Sequence, residues 1–420
     1  MVSAAAWMAS WWASWSLRVR GEATLVLLAR LASVGAGTVL VLLTARHLGP
    51  SGRGEVVLAF TIAWGTTNVA DLGTSTSGRI NLLMPGSSVT PRNVLSLTGI
   101  LIPVQALLAT VVVALLSLTS LPIGFGFGVA VVALSVATMM FHSTVSLMYG
   151  LRRYGDVLVV EAALAIFQIV VLVGLLWTDR LTTTSAVLTM TVGPALGAIQ
   201  LIKVSGAWNR RRSVRDASPW RTLILGGLSP MAGKISFFLA VRVGRIILAI
   251  VAGTRSLGVL AVALAVPEAL RILPKAVAQV VADRARSGID SVATARRHIR
   301  LFIVGHGVIL AVSAAAGWVL VPVVFGEGFT GARDVLVVVT AAEAVLAVHF
   351  MHQALLVGFA RPKGIGVPEV VGAVVMVVLT LVMIPRWGMQ GAAWATLSGF
   401  SALALTSTIW TNHELRRIRR

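Results

Sequence analysis

Three basic residues stand inside one long apolar run of this 420-residue sequence, where a charge is expensive to place. Lys234, Arg242 and Arg245 fall within about 80° of one another on a helix that advances 100° per residue. A stripe of cations in apolar surroundings attracts anions, and arginine suits phosphate because its planar guanidinium donates two parallel hydrogen bonds. The spacing therefore predicts an anion-binding helix face.

A second charged group follows in the next apolar run. Glu268, Arg271 and Lys275 lie along one helix face, so Glu268 is expected to pair with Arg271 while Lys275 stays free. Arg30 adds a cation from an earlier run. We expect Arg30, Lys234, Arg242, Arg245, Arg271 and Lys275 to bind an anionic head group. A simpler interpretation stays open: Arg245 and Lys275 reach the membrane surface from helix ends, and Glu268 with Arg271 forms only a structural ion pair.

Acidic residues also occur in apolar runs. They are Asp71, Glu161, Glu343 and Glu369, besides Glu268. Charged groups at mid-membrane usually face a protein interior or a water-filled cavity. Asp71, Glu268 and Glu343 are therefore candidates for ion coupling or gating, although Asp71 before Gly73 is better suited to cap or bend the second helix. His306, His349 and His352 are candidates for a proton path or, alternatively, for hydrogen-bonded packing.

The composition places these charges inside a membrane. Hydrophobic residues make up 57% of the chain, charged residues 12%, and the mean hydropathy is +0.90. Soluble domains are about 45–50% apolar and 25% charged. The net charge of +20 is spread in small groups between apolar runs, which argues against nucleic-acid binding. The chain has no cysteine, which excludes thiolate metal sites and disulfides.

The apolar runs predict an all-α membrane protein with about twelve transmembrane helices. The expected spans are 23–44, 56–74, 94–117, 122–149, 157–177, 185–204, 222–251, 256–281, 299–324, 334–358, 364–384 and 389–411. Trp7, Trp11 and Trp15 suit a short interfacial helix ahead of them, or belong to an unstructured leader. Metal-protease, P-loop and dinucleotide motifs are missing from the sequence, so we expect neither an enzyme nor a bound cofactor.

Basic residues predict the orientation. Of the 35 lysines and arginines, 23 fall in the tails and even-numbered connections, six in odd-numbered connections and six within spans. Cytoplasmic loops retain positive charge, so both termini are expected in the cytoplasm of a bacterial plasma membrane. The expected divisions are an interfacial segment 1–22, an N-lobe 23–205, a basic linker 206–221, a C-lobe 222–411 and a basic tail 412–420.

The two halves resemble each other weakly. Gly150, Arg153 and Glu161 match Gly358, Arg361 and Glu369 at a shift of 208, while the turn 46–49 matches 255–258 at a shift of 209. An even number of spans per copy predicts parallel lobes around a central cavity, which is transporter architecture. Any transport would use an H⁺ or Na⁺ gradient, the membrane potential or the substrate's own gradient.

Several local motifs resemble one known family. They are Ala45 to Glu55, Asp71-Leu72-Gly73, Arg242-Val243-Gly244-Arg245, Pro267 to Leu270 with Pro274, Val321 to Gly326, and Ile384 to Thr396. In order and spacing they are similar to bacterial polysaccharide flippases of the O-antigen type, in the multidrug/oligosaccharidyl-lipid/polysaccharide (MOP) exporter superfamily. Gly244 departs from the pattern, because many relatives have an aspartate between these two arginines.

The resemblance implies a flippase that moves a polyprenyl-pyrophosphate-linked oligosaccharide across the membrane for cell-surface polysaccharide synthesis. Other polysaccharide-assembly membrane proteins would then be partners. Three alternatives stay open: a cation-coupled multidrug exporter, a flippase for the peptidoglycan precursor lipid, and a scaffold for a glycosyltransferase complex. The excess of cations in the spans counts against the multidrug exporter.

Overall fold

The computed structural model describes residues 22–121, 123–207, 217–289, 291–359 and 366–418, which are almost entirely helical. In the first helix, side chains are described only for residue 35 and from residue 37 onward. Arg30 and the tryptophans at 7, 11 and 15 therefore lie outside the described side chains, and their predicted roles stay predictions.

Three helices are too long to cross a membrane once. Glu22–Ala70, Ala217–Leu270 and Gly366–Ile418 contain 49, 54 and 53 residues. At 1.5 Å per residue each would extend about 75–80 Å, against roughly 30 Å of hydrocarbon. Each contains one glycine with a positive φ and non-helical backbone, namely Gly49 (φ 66°), Gly253 (φ 79°) and Gly388 (φ 54°). Glycine adopts this conformation without a steric penalty, so the chain turns there.

Side-chain contacts confirm that these three elements are hairpins. Arg53 Nη1 donates a 3.1 Å hydrogen bond to Thr44 Oγ1 across the first turn. Arg245 bonds Glu268 across the second turn. A Cβ added at Gly372 would lie 2.9 Å from Leu403 Cβ across the third. Each long element therefore comprises two antiparallel helices.

We number the helices in chain order with the hairpins divided. They are α1 (22–48), α2 (50–70), α3 (Thr74–Leu83), α4 (Pro91–Ser117), α5 (Phe125–Gly150), α6 (Tyr154–Trp177), α7 (Thr183–Ser205), α8 (217–252), α9 (254–270), α10 (Ile272–Arg286), α11 (Val292–Phe325), α12 (Ala332–Gly358), α13 (366–387) and α14 (389–418). A 3₁₀ turn, Glu327–Phe329, precedes α12.

The described residues contain twelve membrane spans. Nine helical stretches are long and apolar enough to cross a membrane when the bent pair of Gly37–Ala70 and Thr74–Leu83 counts as one. Three of the nine are the hairpins, which brings the total to twelve. The predicted all-α architecture of two six-helix lobes is confirmed. The first lobe comprises α1–α7 (the N-lobe), and the second comprises α8–α14 (the C-lobe).

The second span of each lobe is broken near its middle. In the N-lobe, Leu72 and Gly73 have φ of 48° and 69°, and α3 bends 58° away from α2. In the C-lobe the helix is interrupted at Arg271, between Pro267 and Pro274. Proline removes a backbone donor and clashes with the preceding turn, so these residues account for the second break.

The repeat is real, but its register at the first turn differs from our prediction. Gly49 and Gly253 occupy equivalent turns at a shift of 204, rather than the predicted 209. The predicted match rested on the Leu-Gly pairs at 48–49 and 257–258, and a match of two residues can arise by chance. The shift of 208 agrees with packing later in each lobe: Gly150 lies against α3, and Gly358 lies against the equivalent α10.

Helix ends extend beyond the expected spans. The helix α8 begins at Ala217, within the predicted linker, and α14 continues to Ile418, within the predicted tail. Both extensions are basic, and basic residues favour the cytoplasmic ends of membrane helices.

Candidate functional site

Five intramembrane charges of the C-lobe converge in one cluster. Arg242 and Arg245 come from α8, Glu268 ends α9, Arg271 lies at the break before α10, and Glu343 lies in α12. Because Glu268 and Arg271 are three residues apart, they face the same two neighbouring helices. We call these five residues the ionic cluster.

Glu268 is the centre of the cluster. Its carboxylate accepts a hydrogen bond from Arg245, lies 3.4 Å from Arg271 Nη2 and lies 3.8 Å from Arg242 Nη2. Our prediction that Glu268 pairs with Arg271 holds, yet Arg245 is the nearer partner. One carboxylate shared among three guanidiniums leaves each of them only partly neutralised.

Arg271 has a stronger partner that spacing did not reveal. Its Nε donates a 2.8 Å hydrogen bond to Glu343 Oε2, and its Nη2 bonds Glu343 Oε1. This is a bidentate pair between a side chain 10% exposed and one 2% exposed. Two parallel hydrogen bonds offset part of the cost of burying both charges. Arg271 and Glu343 therefore form the anchored base of the cluster.

Arg242 is the most accessible member of the cluster. Its side chain is 27% exposed, against 7% for Arg245 and 10% for Arg271. Three arginines against two glutamates leave an excess of one positive charge. Arg242 has the longest contact with a carboxylate and the greatest exposure, so it is the arginine most able to bind a further anion.

Lys234 lies two turns before Arg242 on α8 and connects the two lobes. Its Nζ lies 3.4 Å from Asp71 Oδ2 and 3.1 Å from Ser75 Oγ, both in the N-lobe. Between the two cations, Phe238 packs against Gly65 of α2. The predicted basic stripe thus faces the seam between the lobes at Lys234 and the interior of the C-lobe at Arg245.

Asp71 has the structural role that we left open. It accepts hydrogen bonds from Ser75 N (3.1 Å), Ser75 Oγ (2.7 Å) and Thr74 Oγ1 (3.2 Å). It therefore caps the first turn of α3 and stabilises the break in the second span. Asp71 also reaches Lys234, so the cap and the contact between lobes share one carboxylate.

Lys275 is not free, contrary to our prediction. Its ammonium lies 5.9 Å from the ring centre of Phe237 and 5.5 Å from that of Phe350. Cation–π attraction of this kind is favourable at about 6 Å or less. Phe350 lies two turns after Glu343 on α12, so Lys275 faces the same helix that holds the partner of Arg271.

The lobes touch at the start of the second span and again at its break. A Cβ on Gly54 would collide with the carbonyl oxygen of Thr254, and one on Gly258 with that of Pro50. At the break, a Cβ on Gly73 would collide with Gly227 O. At these crossings only glycine permits such an approach.

Two buried polar residues escaped the sequence analysis. Arg53, which lies between the first two predicted spans, is 7% exposed and bonds Thr44. Gln105 is fully buried in α4 and donates to Thr66, Thr67 and the carbonyl of Ser135. Gln105 could have been recognised as an amide inside an apolar run. Arg53 lies beside a turn, and its burial depends on the opposite lobe.

The histidines lie among packing partners in the C-lobe. His349 Nδ1 is 2.6 Å from Ser407 Oγ, and His352 Nδ1 is 2.9 Å from the carbonyl of Val348. His306 stacks on Phe302 at 5.5 Å between ring centres. These contacts favour the packing interpretation. Within the described residues, no three His, Asp or Glu side chains group closely enough to hold a metal ion.

Comparisons with solved structures identify the fold. No family model and no curated protein matches the chain. The inward-facing conformation of a multidrug resistance MATE family transporter of the MOP superfamily matches with a TM-score of 0.71 and 12% identity, over 95% of this chain and 99% of that one. The inward closed conformation of the lipid II flippase MurJ matches with a TM-score of 0.68 and 11% identity, over 93% and 87%.

A third structure with this fold is a MOP superfamily transporter from Pyrococcus furiosus, described as having a binding pocket of reverse polarity. It matches with a TM-score of 0.58 and 11% identity, over 96% of this chain and 98% of that one. At such low identity these matches concern the fold alone. This chain has the MOP superfamily transporter fold and is a multi-pass membrane protein.

Proposed function

We propose that this protein is a flippase that moves a polyprenyl-pyrophosphate-linked oligosaccharide across a bacterial plasma membrane, for cell-surface polysaccharide synthesis. It would work by alternating access of its two lobes, with both termini in the cytoplasm. Other membrane proteins of polysaccharide assembly would be its partners.

The observation that carries the proposal is the excess of cations along α8. Lys234 and Arg242 are partly exposed, at 26% and 27%, and lie on one helix on either side of Phe238. Each charge at mid-membrane costs about 2.5–3.5 kcal/mol on insertion scales, so such residues are retained for a use. A pyrophosphate that passes through the membrane needs cations, and it would bind both Lys234 and Arg242.

A multidrug exporter of cationic compounds is less well supported. Such a protein needs acidic groups at its substrate site. In the described residues Glu268 contacts three arginines, Glu343 forms a bidentate pair with Arg271, and Asp71 caps a helix. These carboxylates are already engaged.

A lipid II flippase is the second candidate, because MurJ shares the fold over nearly the whole chain. Its substrate would meet the same cations through a pyrophosphate. The two candidates therefore differ in the sugar, which a competition experiment can decide.

The test is flipping of a fluorescent polyprenyl-pyrophosphate oligosaccharide in liposomes that contain the purified protein. We expect flipping by the wild type, and a loss of at least about tenfold in Arg242→Ala and Lys234→Ala, which corresponds to 1.4 kcal/mol. Arg386→Ala is the matched control, because Arg386 is exposed and bonds only its own helix at Val382.

Three outcomes would count against the proposal. Flipping that survives in both Arg242→Ala and Lys234→Ala would refute the site. Absence of flipping by the wild type would favour another substrate or a scaffold. Preferential inhibition by lipid II would favour the second candidate. Adding or collapsing H⁺ and Na⁺ gradients in the same liposomes would identify the coupling ion, if one is used.

A further inference from the structure

Asp71 depends little on its contact with Lys234, because other groups satisfy its carboxylate. Asp71 is 1% exposed and accepts three hydrogen bonds from Thr74 and Ser75, residues of its own lobe. These bonds satisfy the carboxylate when Lys234 is absent. Lys234 lies 3.4 Å from Asp71 and donates a 3.1 Å hydrogen bond to the neutral hydroxyl of Ser75, and its side chain is 26% exposed.

The ammonium therefore has little to lose by leaving. A contact of 3.4 Å is longer than the 2.7–2.9 Å typical of strong charge-assisted hydrogen bonds. A partly exposed ion pair contributes about 0–1 kcal/mol. Lysine is a compact charge on a flexible four-carbon stem, so its head group can move several ångströms without a change in the helix.

The same contact lies where the lobes meet. Gly73 is two residues beyond Asp71, and its Cα lies against the carbonyl of Gly227 on α8. Ser77 lies one turn further along α3 and packs against Gly226 of α8. A Cβ added at Gly226 would lie only 2.7 Å from the Oγ of Ser77. The lobes are therefore joined beside the break between α2 and α3 by the ionic contact of Lys234 and by close packing of Gly73 and Ser77 against α8.

We propose that Asp71 competes with the substrate for Lys234. An anionic pyrophosphate head group takes the place of Asp71 beside Lys234, so that substrate binding releases this contact between the lobes. The inference rests on the proposed function for the identity of the anion. In the empty protein, Asp71 keeps Lys234 neutralised at the seam. When a pyrophosphate binds near Arg242, Lys234 exchanges one anion for another, and the lobes lose their ionic contact beside this break.

The exchange makes an unusual prediction about affinity. Removing the charge of Asp71 should strengthen binding of the anion, because Lys234 no longer has to leave a carboxylate. With Asp71→Asn, the affinity for farnesyl pyrophosphate, a sugar-free polyprenyl pyrophosphate, should rise by about 2- to 5-fold. A merely structural role for Asp71 would lower or preserve the affinity.

The experiment is a double-mutant cycle on purified protein in nanodiscs. Binding of farnesyl pyrophosphate is measured for wild type, Asp71→Asn, Lys234→Gln and the double variant. We expect the gain from Asp71→Asn to disappear in the Lys234→Gln background. Asp71→Ser serves as a second neutral variant, because serine is also a favoured cap should the asparagine variant be misfolded.

Glu369→Gln is the matched control for long-range electrostatics. Glu369 lies beside Gly233, next to Lys234, but its carboxylate bonds Gln353 instead. Any gain in affinity from this variant should persist when Lys234 is replaced. A gain from Asp71→Asn that also persists would overturn the exchange.

A second readout follows the release of the lobes. The chain has no native cysteine, so Ser77→Cys alone can be labelled with a maleimide. Saturating farnesyl pyrophosphate should accelerate labelling at this buried position. Unchanged labelling and unchanged affinity in Asp71→Asn would overturn the exchange while leaving the proposed function intact. Failure of the wild type to bind the pyrophosphate would count against both.

Discussion

Gly54 and Gly258 lie against each other's helices, each with its Cα beside a backbone carbonyl of the opposite lobe. The carbonyl facing Gly54 belongs to Thr254, and the one facing Gly258 belongs to Pro50. The two pairs are related by the same shift of 204 residues that relates the turns at Gly49 and Gly253. The pseudo-two-fold axis of the repeat therefore passes between α2 and α9 at this crossing.

A side chain at this crossing should separate the lobes. Gly258→Leu would collide with the backbone at Pro50, and overpacking of this kind costs about 1–3 kcal/mol, or roughly 5- to 150-fold in population. We expect faster maleimide labelling of Ala261→Cys, which is buried among N-lobe residues. Gly99→Leu is the control, because a Cβ at Gly99 meets nothing within 4 Å. Equal labelling in both variants would show that the crossing does not hold the lobes together.

The pair of Arg271 and Glu343 should dominate the stability of the C-lobe core. Glu343→Gln leaves a buried guanidinium without its bidentate partner, and breaking such a pair costs about 3–5 kcal/mol. We expect a marked fall in the Tm of the purified protein, measured by thermal unfolding. Glu327→Gln, at an exposed position, should change stability by less than about 0.5 kcal/mol. A similar Tm for the two variants would contradict the assigned role of Glu343.

The cap on α3 should depend on an acceptor at position 71 more than on its charge. Asp71→Ala removes every acceptor for Ser75 N and should destabilise the start of α3 by about 1 kcal/mol. Asp71→Asn retains one oxygen and should lose less. Hydrogen exchange at the amides of residues 74–77 measures the difference. Equal protection in the two variants would mean that the cap contributes little to the break.

Because Thr44 accepts a hydrogen bond from the buried Arg53, it should contribute more to the stability of the fold than Thr61 does. Thr44→Val removes the acceptor for Arg53 Nη1, whereas Thr61→Val removes only a bond within its own helix. Both threonines are almost fully buried and both donate to the carbonyl four residues earlier. We expect Thr44→Val to cost about 1–3 kcal/mol more, in thermal unfolding of the two variants. Equal costs would argue that Arg53 finds another acceptor.

The membrane spans could be predicted from the sequence because hydropathy is a local property. A run of about 20 apolar residues must be helical in lipid, where every backbone polar group has to be satisfied within its own segment. The same reasoning identified the intramembrane cations, since charges inside such runs are visible without any structure. Even the weak match of Gly150 with Gly358 located equivalent helices in the two lobes.

Only the tertiary structure decided how those charges pair. Arg271 and Glu343 are 72 residues apart, and their pairing depends on how α12 packs beside the break between α9 and α10. Helical spacing placed Lys275 on one face with Glu268 and Arg271, but it could not show that the rings of Phe237 and Phe350 would contact the ammonium. Likewise Arg53 is buried because the opposite lobe covers its turn. Hydrophobicity along the chain determines which segments enter the membrane, whereas the pairing of charges is set by helix rotations and breaks that arise when twelve spans pack together.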